Sequence, residues 1–136
     1  HFISAFGEHV IGKEVEEAMQ FAINKTNCEV NEFTVAPQIN PESGLPYHEW
    51  FIEFESEPEN MGDFESLIDA SLQNQNSYYY DLIQGKVLKK LQVTVLKKNS
   101  FHQYMKSIGK LGGQNKIPRL LNDRSLAEKL TNYKKL

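Results

Sequence analysis

The stretch Tyr47-His48-Glu49-Trp50-Phe51-Ile52-Glu53-Phe54-Glu55 alternates with a period of two, which fits a β-strand and not a helix. His48, Trp50, Ile52 and Phe54 fall on one side. Tyr47, Glu49, Glu53 and Glu55 fall on the other, with Phe51 as an apolar exception. The pattern predicts a sheet with one buried face and one mostly wet face. On that reading His48 is a core histidine, and the three glutamates are solvated carboxylates without an acid/base partner. Residues 28–36 read as a second strand, and the loop Asn40-Pro41-Glu42-Ser43-Gly44-Leu45-Pro46 joins the two as a hairpin.

Around this hairpin the period changes. Residues 13–25 carry Val15, Ala18, Met19, Ala22 and Ile23 on one helical face, with Glu14, Glu16 and Glu17 near the start, where the helix dipole favours carboxylates. Residues 60–75 repeat the pattern through Phe64, Leu67, Ile68 and Leu72. The run Asn74-Gln75-Asn76-Ser77 breaks that helix, and Tyr78–Gln84 adds a further turn or two before Gly85. The cluster Tyr78-Tyr79-Tyr80 reads as packing. Residues 1–6 and 91–96 read as strands, and Ser100 as the N-cap of a short helix bearing Phe101, Tyr104 and Met105. A last helix is predicted from Asn122-Asp123 to about Lys134. Residues 1–136 therefore read as a single α+β domain. It has a small mixed sheet of about four strands with helices packed on it, and its first part follows the split βαβ order of ferredoxin-like folds. That order hosts many functions and selects none.

Composition narrows the class. An apolar fraction of 40% with no run of ~18 apolar residues gives an ordinary core and no membrane-spanning segment. The single cysteine, Cys28, excludes an intrachain disulfide; as a small buried thiol it fits a reducing, cytoplasmic compartment. The first residue is His1 rather than Met and runs straight into HFISAF, as expected of a chain cut from a longer one. Charge divides unevenly: residues 1–84 hold 2 Lys/Arg against 16 Asp/Glu, and residues 85–136 hold 13 against 2. Mutual compensation of the two halves within one fold is the plainer reading. Nucleic acid is disfavoured, because the basic half lacks interleaved aromatics and any known binding module.

Chemistry concentrates in the loop Gly109 to Arg119, GKLGGQNKIPR. Gly112 and Gly113 free the backbone, Gln114 offers an amide, and Lys116 and Arg119 supply cations. Pro118 fixes its own φ and biases Ile117 toward extended geometry. Such a loop can present Lys116 to a phosphate or carboxylate and stabilise charge that builds in a transition state. From these residues alone a solvated basic loop remains the plainer reading. The triplet Gly112-Gly113-Gln114 also occurs in peptide-releasing translation factors, but its surroundings here do not match. The histidines His1, His9, His48 and His102 form no metal-ligand spacing, so no metal site is expected. A Walker-type phosphate loop, a dinucleotide fingerprint and a serine nucleophile elbow are all missing.

Several segments together, ISAFGEHVIGKEVEEAM, GLPYHEWFIEFE, NSYYYDLIQGKVLKKLQVTVL and FHQYMKSIGKLGGQNKIPR, resemble the C-terminal part of the Gretchen Hagen auxin-responsive-promoter family of acyl-acid amido synthetases, most closely its bacterial members. The likeness runs from about Phe2 to about Arg124. It implies the C-terminal, mobile domain of an adenylate-forming ligase. In such enzymes an N-terminal adenylation domain binds ATP with Mg2+ and a carboxylic acid, and the small domain rotates between two half-reactions. The acid becomes an acyl-adenylate, and an amine such as an amino acid then takes the acyl group. Gln114-Asn115-Lys116-Ile117-Pro118-Arg119 matches the family's Gln-Tyr-Lys-Thr-Pro-Arg loop at Gln, Lys, Pro and Arg. The resemblance thus makes Lys116 the adenylation lysine and Gln114 and Arg119 substrate or nucleotide contacts. Asn115 and Ile117 depart from the pattern, so contacts by those side chains are not carried over. Gly7, Glu8 and His9, in the turn after the interdomain hinge, become candidates for acceptor-side contacts. This stretch alone is expected to bind no cofactor and to be inactive. The rival reading is a stand-alone ferredoxin-like module that binds an anionic partner through its basic half.

Overall fold

The structure is a computed structural model and describes residues 2–110 and 116–136. Its elements run in the order β1 (Phe2–Ile3), β2 (Val10–Ile11), α1 (Gly12–Thr26), β3 (Glu29–Gln38), β4 (Tyr47–Ser56), α2 (Met61–Gln75), α3 (Ser77–Gln84), β5 (Gln92–Leu96), α4 (Ser100–Ser107) and α5 (Ser125–Leu130), with a short 3-10 turn at Thr131–Tyr133. The α+β class read from the sequence stands. The strands divide between a three-stranded sheet, β3-β4-β5, and a separate ribbon, β1-β2.

β4 is the middle strand. It pairs antiparallel with β3, Val35 opposite Trp50, and parallel with β5, Trp50 opposite Val93. A split βαβ unit would insert the first strand between β4 and β5, but here those two pair directly. The first strand is only Phe2–Ile3 before the turn at Gly7, too short to match a ladder of this length, and it pairs instead with Val10–Ile11.

On one face of the sheet α1 and α2 bury Phe33, Val35, Trp50, Ile52 and Phe54 with Val15, Met19, Phe64, Ile68 and Leu72. The period-two pattern predicts this side correctly. The opposite face departs from expectation. It carries a second core in which Ala36, Phe51 and Leu96 meet Phe101, Tyr104, Ala127 and Leu130 of α4 and α5. Phe51 is fully buried, and Glu49 and Glu53 are only 8% and 6% exposed; of the three glutamates only Glu55 stays wet.

Both buried carboxylates have partners, which is the condition for burying charge. Glu49 Oε2 accepts the Thr94 hydroxyl at 2.5 Å. Its other oxygen lies 2.8 Å from Arg124 Nη1, an ion pair by distance without the angle of a hydrogen bond. Glu53 accepts the Phe101 N–H at 3.2 Å and the Asn31 amide at 3.3 Å. The Phe101 contact makes Glu53 the cap of α4, where an orphan N–H and the dipole both favour a carboxylate. Ser100, expected as N-cap, is instead the first helical residue. Asn99 precedes it at φ +69 with no side-chain cap bond.

The outer edges of the sheet are covered from the C-terminal part of the chain. Along β3, Val35 N–H donates to Arg119 C=O at 3.0 Å, and Leu121 N–H donates to Val35 C=O at 2.8 Å. Pro37, farther along the same edge, has no donor to expose. Along β5, Lys97 N–H donates to Tyr133 C=O at 2.9 Å and Lys135 N–H to Val95 C=O at 2.8 Å. The Val93 N–H is capped by the Glu65 carboxylate of α2 at 2.7 Å. The last helix is shorter than predicted because residues after Leu130 must turn to reach this edge.

The two-sided core has a measurable signature. Trp50→Ala and Phe51→Ala should each cost about 3–5 kcal/mol in chemical denaturation. If Phe51 lay on a wet face, its replacement would change stability by no more than about 0.5 kcal/mol.

Candidate functional site

The Lys116 loop leaves the C-terminus of α4 and returns to the edge of β3. α4 ends in a Schellman arrangement: Gly109 takes φ +71, its N–H donates to Lys106 C=O at 3.0 Å, and Lys110 N–H donates to Met105 C=O at 2.9 Å. Gly109 is therefore required by its backbone conformation. Gly112, Gly113, Gln114 and Asn115 lie outside the described residues. Lys116 is exposed, and among the described residues its ammonium has no carboxylate partner.

Just beyond Lys116 the chain is tethered to the edge of β3. The Thr34 hydroxyl donates to Pro118 C=O at 2.6 Å, and the Arg119 carbonyl takes the Val35 N–H. The Arg119 side chain folds back onto the domain. Its Nε bonds Glu16 Oε1 of α1 at 2.6 Å, its Nη1 pairs with Glu32 Oε1 and donates to the Phe33 carbonyl, and its guanidinium carbon sits 4.0 Å from the Phe33 ring centre. Burial works against this charge, but the bonds from Glu32 and Glu16 outweigh it and hold the Arg119 pKa above its ordinary value. Thr34, Glu16 and Glu32 carried no signal in the sequence. Their partners stand 84, 103 and 87 positions away.

The second candidate segment is the turn between β1 and β2. Gly7 takes φ +91 and is exposed; His9 takes φ +45 and is exposed, with its ring 4.4 Å from that of Phe2. Between them Glu8 is completely buried. One of its oxygens accepts the Phe6 N–H at 2.8 Å, and the other lies 2.7 Å from His48 Nε2. The pair thus pins the turn to the start of β4. Burial pushes the Glu8 carboxyl up, but the bond and charge of His48 and the Phe6 N–H overcome it, so its pKa is lowered. His48 is the core histidine the alternation implied, and its Nδ1 has no partner among the described residues.

Behind His48 the network continues. Its ring is 5.3 Å from that of Tyr79, whose hydroxyl donates to Asp69 at 2.5 Å. Burial, then the charge of Asp69, pushes the Tyr79 phenol well above its usual pKa. Asn76 caps α3 through Tyr79 N–H and donates its amide to His9 C=O at 3.2 Å, tying the helix break to the same turn. Of the three tyrosines, Tyr79 is core and Tyr78 and Tyr80 are exposed. No hydrogen bond or ion pair among the described residues joins this turn to the Lys116 loop.

The uneven charge resolves into cross-pairing. Arg119 with Glu16 and Glu32, Arg124 with Glu49, Lys98 with Glu55 and Lys135 with Glu57 each join the basic half to the acidic half. Among the described residues no three His, Cys, Asp or Glu are grouped to hold a metal ion. Cys28 is buried beside the Thr26 hydroxyl, 3.3 Å from its sulfur.

A sequence model of the GH3 family C-terminal domain matches residues 13–125. No curated protein sequence matches significantly. Among solved structures, a GH3.15 acyl acid amido synthetase is similar with a TM-score of 0.79 at 15% identity, over 100% of this chain and 25% of its own. An AtGH3.15 acyl acid amido synthetase in complex with 2,4-DB gives 0.74 at 15% identity, over 99% of this chain and 26% of its own. At that identity the likeness is one of fold. The chain spans about a quarter of the length of these proteins.

The buried pair at the turn gives a pH dependence with a definite sign. The folded state holds the Glu8 proton more weakly than the unfolded state, where a glutamate titrates near ~4.3. The contribution of Glu8 is therefore present above that pH and lost as pH falls through the lowered folded value. Melting temperature measured from neutral pH downward should fall less steeply below about pH 4.3 in Glu8→Gln than in the parent chain. Parallel curves for the two would rule the pair out as an acid-sensitive element.

Proposed function

This chain belongs to the GH3 C-terminal domain family, and on that footing we propose that it is the C-terminal, mobile domain of an ATP-dependent acyl-adenylating ligase. Residues 1–136 form that one domain. The observation that carries the reading is the loop itself. It preserves Gln114, Lys116, Pro118 and Arg119 of the family pattern, and it presents an exposed ammonium, without a carboxylate partner among the described residues, from a loop tethered at residues 109–110 and 118–121. The fold shared with acyl acid amido synthetases, over about a quarter of their length, supports placing the remaining machinery elsewhere in a longer chain.

In the proposed first half-reaction a substrate carboxylate oxygen attacks the α-phosphorus of ATP, pyrophosphate leaves, and an acyl-adenylate results. Negative charge grows on the oxygens between acid and α-phosphate. The Lys116 ammonium bridges them, an electrostatic contribution strongest where water is excluded. In the second half-reaction an amine, such as that of an amino acid, attacks the acyl carbon. AMP leaves and an amide forms. After a rotation of the domain the turn at Gly7 and His9 faces the acceptor. Buried Glu8 acts there as the strut of the turn, not as a contact. Gln114 retains its proposed contact on the sequence match alone. Mg2+ would travel with the nucleotide phosphates, since the described residues of this chain group no metal ligands. The N-terminal adenylation domain is the partner, and buried Cys28 accords with a reducing cytoplasm.

The test separates the half-reactions. In the full-length ligase, Lys116→Ala should lower acid-dependent ATP–pyrophosphate exchange by at least ~10²–10³-fold. Aminolysis of supplied acyl-adenylate should be largely spared. Exchange at the parental rate would remove Lys116 from the chemistry.

A further inference from the structure

The family pattern makes Arg119 a ligand contact, but its surroundings give it different work. We propose that Arg119 is a positioning residue for adenylation, which locks the end of the Lys116 loop in register on the sheet and against α1; this rests on the reading of Lys116 given above. Two of the three guanidinium nitrogens, Nε and Nη1, are engaged within the domain, and the side chain is only 30% exposed. Nε meets Glu16, Nη1 meets Glu32 and the Phe33 carbonyl, and the guanidinium carbon lies 4.0 Å over the Phe33 ring centre. That ring is itself stacked on Trp50, with centroids 5.5 Å apart and planes within 2°. The stack therefore runs from the loop through Phe33 to Trp50, the largest fully buried side chain among the described residues. A phosphate approaching Arg119 would meet the charges of Glu16 and Glu32 beside it, so the site repels the ligand that a free arginine would attract.

The loop needs such a lock. Past Lys116 its main-chain tether is a single bridge, Val35 to Leu120, with the Thr34 hydroxyl on Pro118 C=O. One bridge sets the position of the chain on the edge weakly. Arg119 adds fixed contacts to two elements, α1 and β3, at once. The planar fork also explains why lysine would not serve, because an ammonium cannot stack on Phe33 while reaching both carboxylates. Loss of the lock would let the ammonium of Lys116 drift, and a displacement near 1 Å costs about 10²-fold in rate.

The experiment uses the full-length ligase and compares Arg119→Ala with the double variant Glu16→Gln/Glu32→Gln, which leaves Arg119 in place. Both should lower the kcat of ATP–pyrophosphate exchange by about 10²-fold, with the KM for ATP little changed. Aminolysis of supplied acyl-adenylate should be retained in both. Three results would overturn the proposal. Exchange unaffected in Arg119→Ala removes the role. A raised KM for ATP in Arg119→Ala with normal exchange in the double variant makes Arg119 a substrate contact. An equal fall of both half-reactions reduces it to general stability. Should Arg119→Ala fail to fold, the double variant alone decides. Lys116→Ala measured alongside keeps the two ideas apart: if it retains exchange, the assignment of Lys116 itself has failed, whatever Arg119 does.

Discussion

The burial of β4 on both faces governs the rest of this domain. A strand bearing Glu49 and Glu53 cannot be covered unless each carboxylate finds donors, because an unpaired buried charge costs several kcal/mol. Apart from the Asn31 amide, the donors come from later in the chain. Thr94 and Arg124 answer Glu49, and the first turn of α4 answers Glu53. Once α4 and the tail are drawn onto that face, Phe51 gains its core, and the chain after α4 is committed to cross the sheet. The position of the Lys116 loop between α4 and the β3 edge follows from this crossing.

Much of this was legible from local pattern. The alternation at residues 47–55 located the central strand and the face that meets α1 and α2, and the helical spacing of Val15 through Ile23 located α1. The second face was hidden for a physical reason: a glutamate satisfied by a hydroxyl or a helix N-terminus looks, in sequence, the same as one in water. Phe51 was the single residue that broke the alternation, and it was the trace of the hidden core. The separate ribbon at residues 2–11 escaped because an apolar run does not reveal its partner. Charge asymmetry announced that the halves compensate but not that Arg119 would choose Glu16 and Glu32.

The candidate site shows the same division. A family pattern picks out Lys116 and Arg119 together, as if alike. Their surroundings separate them: Lys116 projects from the surface without a carboxylate partner among the described residues, while Arg119 is stacked and doubly paired. In the role proposed for Lys116, a charge is most effective when rigid elements hold it in place. Here the support is the sheet edge and the Phe33–Trp50 stack. The turn at Gly7 has an analogous build, with exposed residues on either side of a buried carboxylate fixed to His48.

The covered margins of the main sheet limit how the domain meets other proteins. Tail residues and the Glu65 carboxylate bond the Val93 N–H and Val95 C=O of β5 and the Lys97 N–H just beyond it. The other margin is engaged at Phe33 and Val35 and lacks a donor at Pro37. A neighbour cannot join this sheet along these stretches by adding a strand, the mode that fixes two bodies in one rigid alignment. Association over these stretches would instead run through side chains on loops and helix surfaces, contacts that can be exchanged for others without breaking a backbone ladder. Contacts of that kind would suit the rotation proposed above, in which one body meets the same partner in two orientations.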